Sequence, residues 1–175
     1  MSFIELVRLR KSVRVYDKDR RIDNNELKKI LEAGRLAPSA KNLQEWKFLV
    51  VKDRGLLEKL IPACKEQSFV GDASCVIVAC ADKTDYVMTC GQPAYVVDLA
   101  ISIEHMALMA AELGIGSCWI GAFYEEKVKD LLDIPELVRV VSLLVLGYPK
   151  RDLKEISGPG RKDLEEMVCY DKWSF

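Results

Sequence analysis

Apolar and charged residues interleave along positions 2–9, with Phe3, Ile4, Leu6 and Val7 on neighbouring faces. The pattern predicts a short helix with Ser2 as N-cap and Glu5 completing a capping box. Asp23-Asn24-Asn25-Glu26 is a second capping signal. From it Leu27, Ile30, Leu31, Gly34 and Leu36 carry an amphipathic helix toward Ala37, where Pro38 stops it. Bulky and β-branched residues at 46–52 predict a strand, and 54–61 a short helix ended near Pro62. Positions 75–81 are almost unbroken apolar, which predicts a strand buried on both faces. The longest helix is expected over 93–113, with Gly114 and Gly116 ending it ahead of a strand. A helix at 125–132, a buried strand at 138–146 and a turn at Gly147-Tyr148-Pro149 follow. The last stretch, 150–175, is polar and broken by Gly and Pro. It nevertheless ends in Val168, Tyr170, Trp173 and Phe175, too apolar for a solvated tail, so it is expected to pack on a surface as a C-terminal arm.

The long helix bears on assembly. Fifteen of its twenty residues from 94 to 113 are apolar, and Asp98, Glu104, His105 and Glu112 interrupt it, which argues against a membrane span. A helix apolar on nearly all sides must be buried on nearly all sides. A chain of 175 residues fits one domain and seldom surrounds such a helix alone, so a homodimer interface is expected along it.

Half the residues are apolar, 30% are charged, and the formal net charge is −1, which gives no global reason to expect nucleic acid or an anionic membrane as partner. The charge is uneven. Positions 8–21 hold seven Lys/Arg against Asp17 and Asp19, and 150–162 hold five against Asp152 and Glu155. Two basic stretches at opposite ends of a near-neutral chain suit convergence on one anion. The six cysteines form no C-x-x-C pair, and no secretory signal precedes them. They read as reduced thiols of a cytoplasmic protein, with no disulfide and no metal site. The lone His105, inside an apolar helix, argues against a histidine-based triad.

Three stretches carry candidate chemistry. Arg10-Lys11-Ser12-Val13-Arg14 packs three cations and a hydroxyl into five residues, a set of donors suited to a phosphate monoester. Taken alone it reads equally well as a solvated basic loop. Because it follows a helix C-terminus, charged side chains must do most of any anion binding. The loop Pro38-Ser39-Ala40-Lys41-Asn42-Leu43-Gln44-Glu45-Trp46 can read the polar edge of a planar heterocycle, or serve only as a turn and cap. The glycines of Gly114-Ile115-Gly116-Ser117-Cys118-Trp119-Ile120-Gly121 fit neither the dinucleotide fingerprint nor a P-loop. They suit a helix end and close backbone approach to something flat.

Together these motifs, with Leu146-Gly147-Tyr148-Pro149 and the basic residues after it, resemble the nitroreductase family of FMN-dependent oxidoreductases over nearly the whole chain. The resemblance implies an α+β fold, a central, mainly antiparallel sheet sandwiched by helices. It implies one domain over 1–175, dimeric, with the 150–175 arm packing on the partner subunit and two FMN sites built from both subunits. Carried over by motif, Arg10, Lys11, Ser12 and Arg14 hold the FMN phosphate and ribityl end, and Arg161 and Lys162 complete that anion site. Pro38, Ser39 and Asn42 come from the other subunit to the ring and ribityl chain, and Ile120 and Gly121 present backbone to the ring. Two positions depart from the pattern: Ala40 stands where many relatives have Ser, and Glu45 where many have Pro.

The implied reaction is ping-pong electron transfer from NADH or NADPH through FMN to a nitroaromatic, quinone or related small oxidant. The protein supplies orientation and electrostatics. No catalytic acid or base is assigned. The chain is short for the family, which implies an open pocket. A flavin carrier or sensor without its own NAD(P)H turnover is the rival reading. A third, reductive dehalogenation or dehydrogenation of a bound metabolite, requires a lid, for which 68–88 is the candidate.

Overall fold

The computed structural model describes residues 1–158 and 160–174. The expectation for Phe175 lies outside the described residues. The chain begins with α1 (Phe3–Leu9), which starts at the predicted Ser2–Glu5 capping box. Helix α2 (Asn24–Arg35) starts at a second box between Asp23 and Glu26. In both, the cap side chain accepts a backbone N–H while the glutamate reaches back to the cap's own N–H, so local sequence alone sets the helix start.

Strand β1 (Trp46–Val51), α3 (Arg54–Ala63), the short α4 (Phe69–Asp72) and β2 (Cys75–Ala81) follow. The long α5 (Ala94–Glu112), β3 (Gly116–Ile120), α6 (Glu125–Leu132) and β4 (Arg139–Gly147) complete the body. The arm holds two 3-10 turns, Leu153–Glu155 and Leu164–Glu166. Helix α3 passes the expected stop at Pro62 and ends at Ala63. Pro62 falls in the last turn, where it removes only the bond its N–H would make to Glu58 O, and the Cys64 N–H still closes that turn on Leu60 and Ile61.

The sheet is antiparallel throughout, in the order β1-β2-β4-β3. Strand β2 is buried at every position, as its apolar run predicted. Its alternation assigns Val76, Val78 and Cys80 to a core shared with α3, α4 and α6. Cys75, Ile77, Ala79 and Ala81 face a second core against α2 and α5. The result is a sheet between two helical layers, the expected α+β sandwich.

The position proposed for a lid does not hold. Residues 69–72 are helix and 75–81 form a central strand buried on both faces, so 68–88 cannot swing as a unit. Only the connection 82–93 is loop. It is pinned by backbone bonds from Ala94 to Tyr86 (3.1 Å) and from Met88 to Gln92 (2.9 Å).

Candidate functional site

The basic cluster is an extended segment laid along the outer edge of β3. Arg10 caps α1, its N–H bonding Leu6 O at 3.0 Å. Ser12 then forms a parallel bridge with Ser117, and the Val13 N–H donates to Ser117 O at 2.8 Å. Extended backbone alternates its side chains, so Val13 is buried while Ser12 and Arg14 stand outward. The buried Tyr16 hydroxyl donates back to Val13 O at 2.7 Å, and the Asp17 N–H donates to Tyr148 O at 2.8 Å. Burial raises the Tyr16 pKa well above its usual value, so this hydroxyl stays a donor.

The C-terminal arm crosses the cluster. A Cβ built on Gly158 would meet Lys11 Cδ at 3.3 Å, so arm backbone lies directly on that side chain. Between them is a hollow of about 410 Å³. Five cations line it, Arg8, Arg10, Lys11, Arg14 and Arg161, with the hydroxyls of Ser12 and Ser157 and, among the described residues, no carboxylate. A neighbouring hollow of about 430 Å³ shares Ser12, Arg14, Ile156 and Ser157 and adds Lys150, Arg151 and Glu155. The two ends of the chain thus converge as their charge predicted. Lys162 is exposed and is not among the residues lining either hollow, while Arg8 and Ser157 line the first without having been singled out from the sequence.

A dianion fits this chemistry. The hollow sits at the C-terminal end of α1, where the helix dipole opposes an anion. Any anion held there would depend on side-chain cations, and five line the hollow. Arg10 is additionally paired with Glu104 of α5, Nε to Oε1 3.4 Å.

The β3 edge orients the next part. Ser117 turns its carbonyl outward to Val13, so by alternation Trp119 also turns its backbone groups to the outer edge. Ile120 then points its backbone inward to β4, where it pairs with Leu143, and its side chain is buried. Gly121 lies just beyond the strand, exposed, with nothing within 4 Å of an added Cβ. Of the two residues expected to offer backbone, Gly121 is open and Ile120 is engaged.

The loop after α2 stands elsewhere in the chain. Pro38 and Asn42 are exposed, Ser39 half-buried, and Ser39 Oγ accepts the Gln44 N–H at 3.1 Å. The loop is tied to α5 through Asp98, which accepts the Ala40 N–H. Asp98 and Glu104 are six residues apart, about 9 Å along the axis and about 120° around it. One helix therefore holds the loop on one face and the basic cluster on another.

Among the described residues no group of His, Cys, Asp and Glu could hold a metal ion. All six cysteines are free, with only Cys90 fully exposed. Burial pushes the Cys64 and Cys80 thiols up to about 11 and Cys75 to about 12, so none of these three is a nucleophile at neutral pH.

Comparison with known proteins agrees with this geometry. The Nitroreductase family pattern matches residues 7–92 and 65–148. An Archaeoglobus fulgidus protein, provisionally named an NADH dehydrogenase/NAD(P)H nitroreductase, is 38% identical over 97% of this chain and 98% of its own. A nitroreductase family protein from Clostridium novyi superposes with TM-score 0.79 at 36% identity, covering 89% of this chain and 91% of that one. An FMN-dependent nitroreductase from Clostridium difficile superposes with TM-score 0.81 at 28% identity, covering 98% and 100%. With capped helices, sheet order and basic segment all in place, the chain belongs to the nitroreductase family.

Proposed function

We propose that this protein is an FMN-dependent oxidoreductase that carries electrons from NADH or NADPH to small oxidants such as nitroaromatics and quinones, alternating donor and acceptor at one site. The observation that carries the reading is the hollow, free of carboxylates among the described residues, in which Arg10, Lys11, Ser12, Arg14 and Arg161 meet from both ends of the chain. A phosphate monoester carries close to two negative charges and needs about this set of donors. FMN held there supplies hydride acceptance and donation. The chain's own part is to fix the phosphate and to turn Gly121 and the Trp119 backbone toward the ring. Lys162 extends the positive field around the arm without lining the hollow.

Completion of the site requires a second copy. Pro38, Ser39 and Asn42 lie on a different face of α5 from the basic cluster, so we assign them to the flavin held mainly by the partner. Two features support the dimer. A groove of about 910 Å³ between α1, α2 and α5 has an apolar floor of Phe3, Leu6, Leu36, Leu108 and Met109 and charged lining from Lys28, Lys29, Glu32 and Glu112. The arm beyond Arg161 exposes Leu164, Met167 and Tyr170. Arm residues Ile156, Ser157, Gly158 and Arg161 line a hollow on their own chain, so within the single domain 1–175 only the part beyond Arg161 is assigned to the partner. The six free thiols suit a reducing compartment such as the cytoplasm.

The test is a fluorescence titration of flavin-free protein with FMN and riboflavin, which differ by the phosphate. FMN should bind at least about tenfold more tightly, as expected for one or two charge-assisted hydrogen bonds. Equal affinities would remove the phosphate assignment.

A further inference from the structure

We propose that Asp98 is a positioning residue for the ring half of the flavin site, fixing the place on α5 of the strained loop 39–44 that presents Ser39 and Asn42. The inference rests on the flavin reading above. The loop has three non-glycine residues in the left-handed region, Lys41 at φ +51°, Asn42 at +56° and Gln44 at +52°. Such backbone persists only where its surroundings over-determine it, and it concentrates at functional sites.

Several bonds close the loop on itself. Asn42 N–H donates to Ser39 O (2.9 Å), Leu43 N–H to Ala40 O (3.1 Å), and Gln44 N–H to Ser39 Oγ (3.1 Å). These set its shape but not its place. The Lys41 ammonium over the Tyr86 ring, 4.5 Å from its centroid, ties it only to another loop. The tie to a rigid element is Asp98. Both its carboxylate oxygens lie within reach of the Ala40 N–H, at 3.0 and 3.2 Å.

Asp98 is an unusual residue for that position. It is 5% exposed and the one charged residue on the buried face of its helix, where Ser102 is the other polar residue and Ala94, Leu99, Ile103 and Met106 are among the apolar ones. Burying a carboxylate against a backbone amide is a poor way to gain stability, because an apolar side chain there pays no desolvation. It is a good way to fix where one amide stands. Ala40 N–H lies between the two residues assigned to the flavin, so fixing it sets the height of both above α5. The same helix carries Glu104, paired with Arg10 at 3.4 Å, so α5 touches both the loop and the basic cluster.

The experiment uses the full chain stripped of flavin and titrated with FMN and with riboflavin, following the visible circular dichroism of the bound ring. Asp98→Leu should weaken both flavins by a similar factor, about tenfold for a lost charge-assisted contact. It should change the ring's dichroism and leave the FMN-to-riboflavin ratio unchanged, since the phosphate end is untouched. Asp98→Asn keeps an oxygen that accepts from Ala40 and should recover most of the affinity and the parent dichroism. Asp98→Ala is read in the same way should the leucine variant fail to fold. Parent-like dichroism and riboflavin affinity in a folded leucine or alanine variant overturn the proposal. So does an asparagine variant as impaired as leucine, which would mark a need for charge and not for position. A parent chain that binds neither flavin overturns the flavin reading itself and this inference with it.

Discussion

Replacing Gly116 with alanine would place a methyl group where Val13 already stands. The added Cβ lies 2.9 Å from Val13 Cβ, Cγ1 and Cγ2. Rotation about χ1 moves the two methyls but not Val13 Cβ, so the clash cannot be turned away. Gly116 pairs with Gly147 inside the sheet, so the element that must give is the extended segment 12–14. An ordinary contact is 3.4–4 Å, and the segment must retreat by roughly half an ångström to reach it. Overpacking of this kind costs about 1–3 kcal/mol. The same retreat stretches the 2.8 Å bond from Val13 N–H to Ser117 O and carries Ser12 and Arg14 with it. Misplacing one charge-assisted contact to phosphate loses about 1.5–3 kcal/mol, or roughly 10–150-fold in FMN affinity. The assay is a pair of flavin titrations, FMN and riboflavin, with a thermal melt of the flavin-free chain. FMN affinity should fall more than riboflavin affinity, and Tm should drop by about 2–12 °C. Gly114→Ala is the control: Gly114 has φ +72° and nothing within 4 Å of an added Cβ, so it costs stability through backbone alone and should spare FMN selectivity. A lowered Tm with unchanged FMN selectivity in Gly116→Ala would refute the claim that this contact seats the phosphate segment.

Arg14→Ala should weaken FMN by about 10–100-fold and riboflavin far less, because Arg14 lines both hollows beside the arm; equal losses would move Arg14 away from the phosphate. Glu104→Gln removes the acid that competes for Arg10 across 3.4 Å. FMN should then bind about two- to fivefold more tightly at low salt, the scale of a half-exposed ion pair, and isothermal titration showing weaker binding would contradict this. Cys64, Cys75 and Cys80 are held near 11, 12 and 11 by burial, against an ordinary value of 9.0. Their folded-state values are raised, so their stabilising contribution is complete below pH 9 and lost as pH climbs toward 11–12. The urea midpoint should fall across that window, and a flat profile measured by circular dichroism would be inconsistent with it.

Much of the fold was readable because it is local. The capping boxes at Ser2 and Asp23 and the bounds of α6 come from residues within a few positions of one another. Burial of β2 on both faces was readable from its unbroken apolar run. The order β1-β2-β4-β3 was not, because pairing joins residues such as Val78 and Leu143 that no local pattern relates. The same limit separated Ile120 from Gly121: which backbone groups face an open edge depends on the partner strand's register. Convergence of the two basic stretches was legible as charge, but the choice of Arg161 over Lys162 as a lining residue depends on how the arm lies. Arg8 was passed over as part of a helix, although it falls in the last turn, one residue pair from Arg10. Asp98 and Glu104 registered only as interruptions of an apolar helix. The overlooked signal was the charge itself, since a carboxylate in such a helix needs a partner, and here the partners are Ala40 and Arg10.

The most direct test of the central claim is the absorbance of the purified protein between about 300 and 550 nm, where flavins absorb, before and after anaerobic NADH or NADPH. The account predicts a yellow protein that bleaches with at least one nicotinamide and recovers its colour with a quinone or nitroaromatic. A yellow protein that bleaches with neither would point to a flavin carrier or sensor. A colourless protein that FMN cannot reconstitute would contradict the account and return the Arg10 to Arg14 segment to a solvated basic edge.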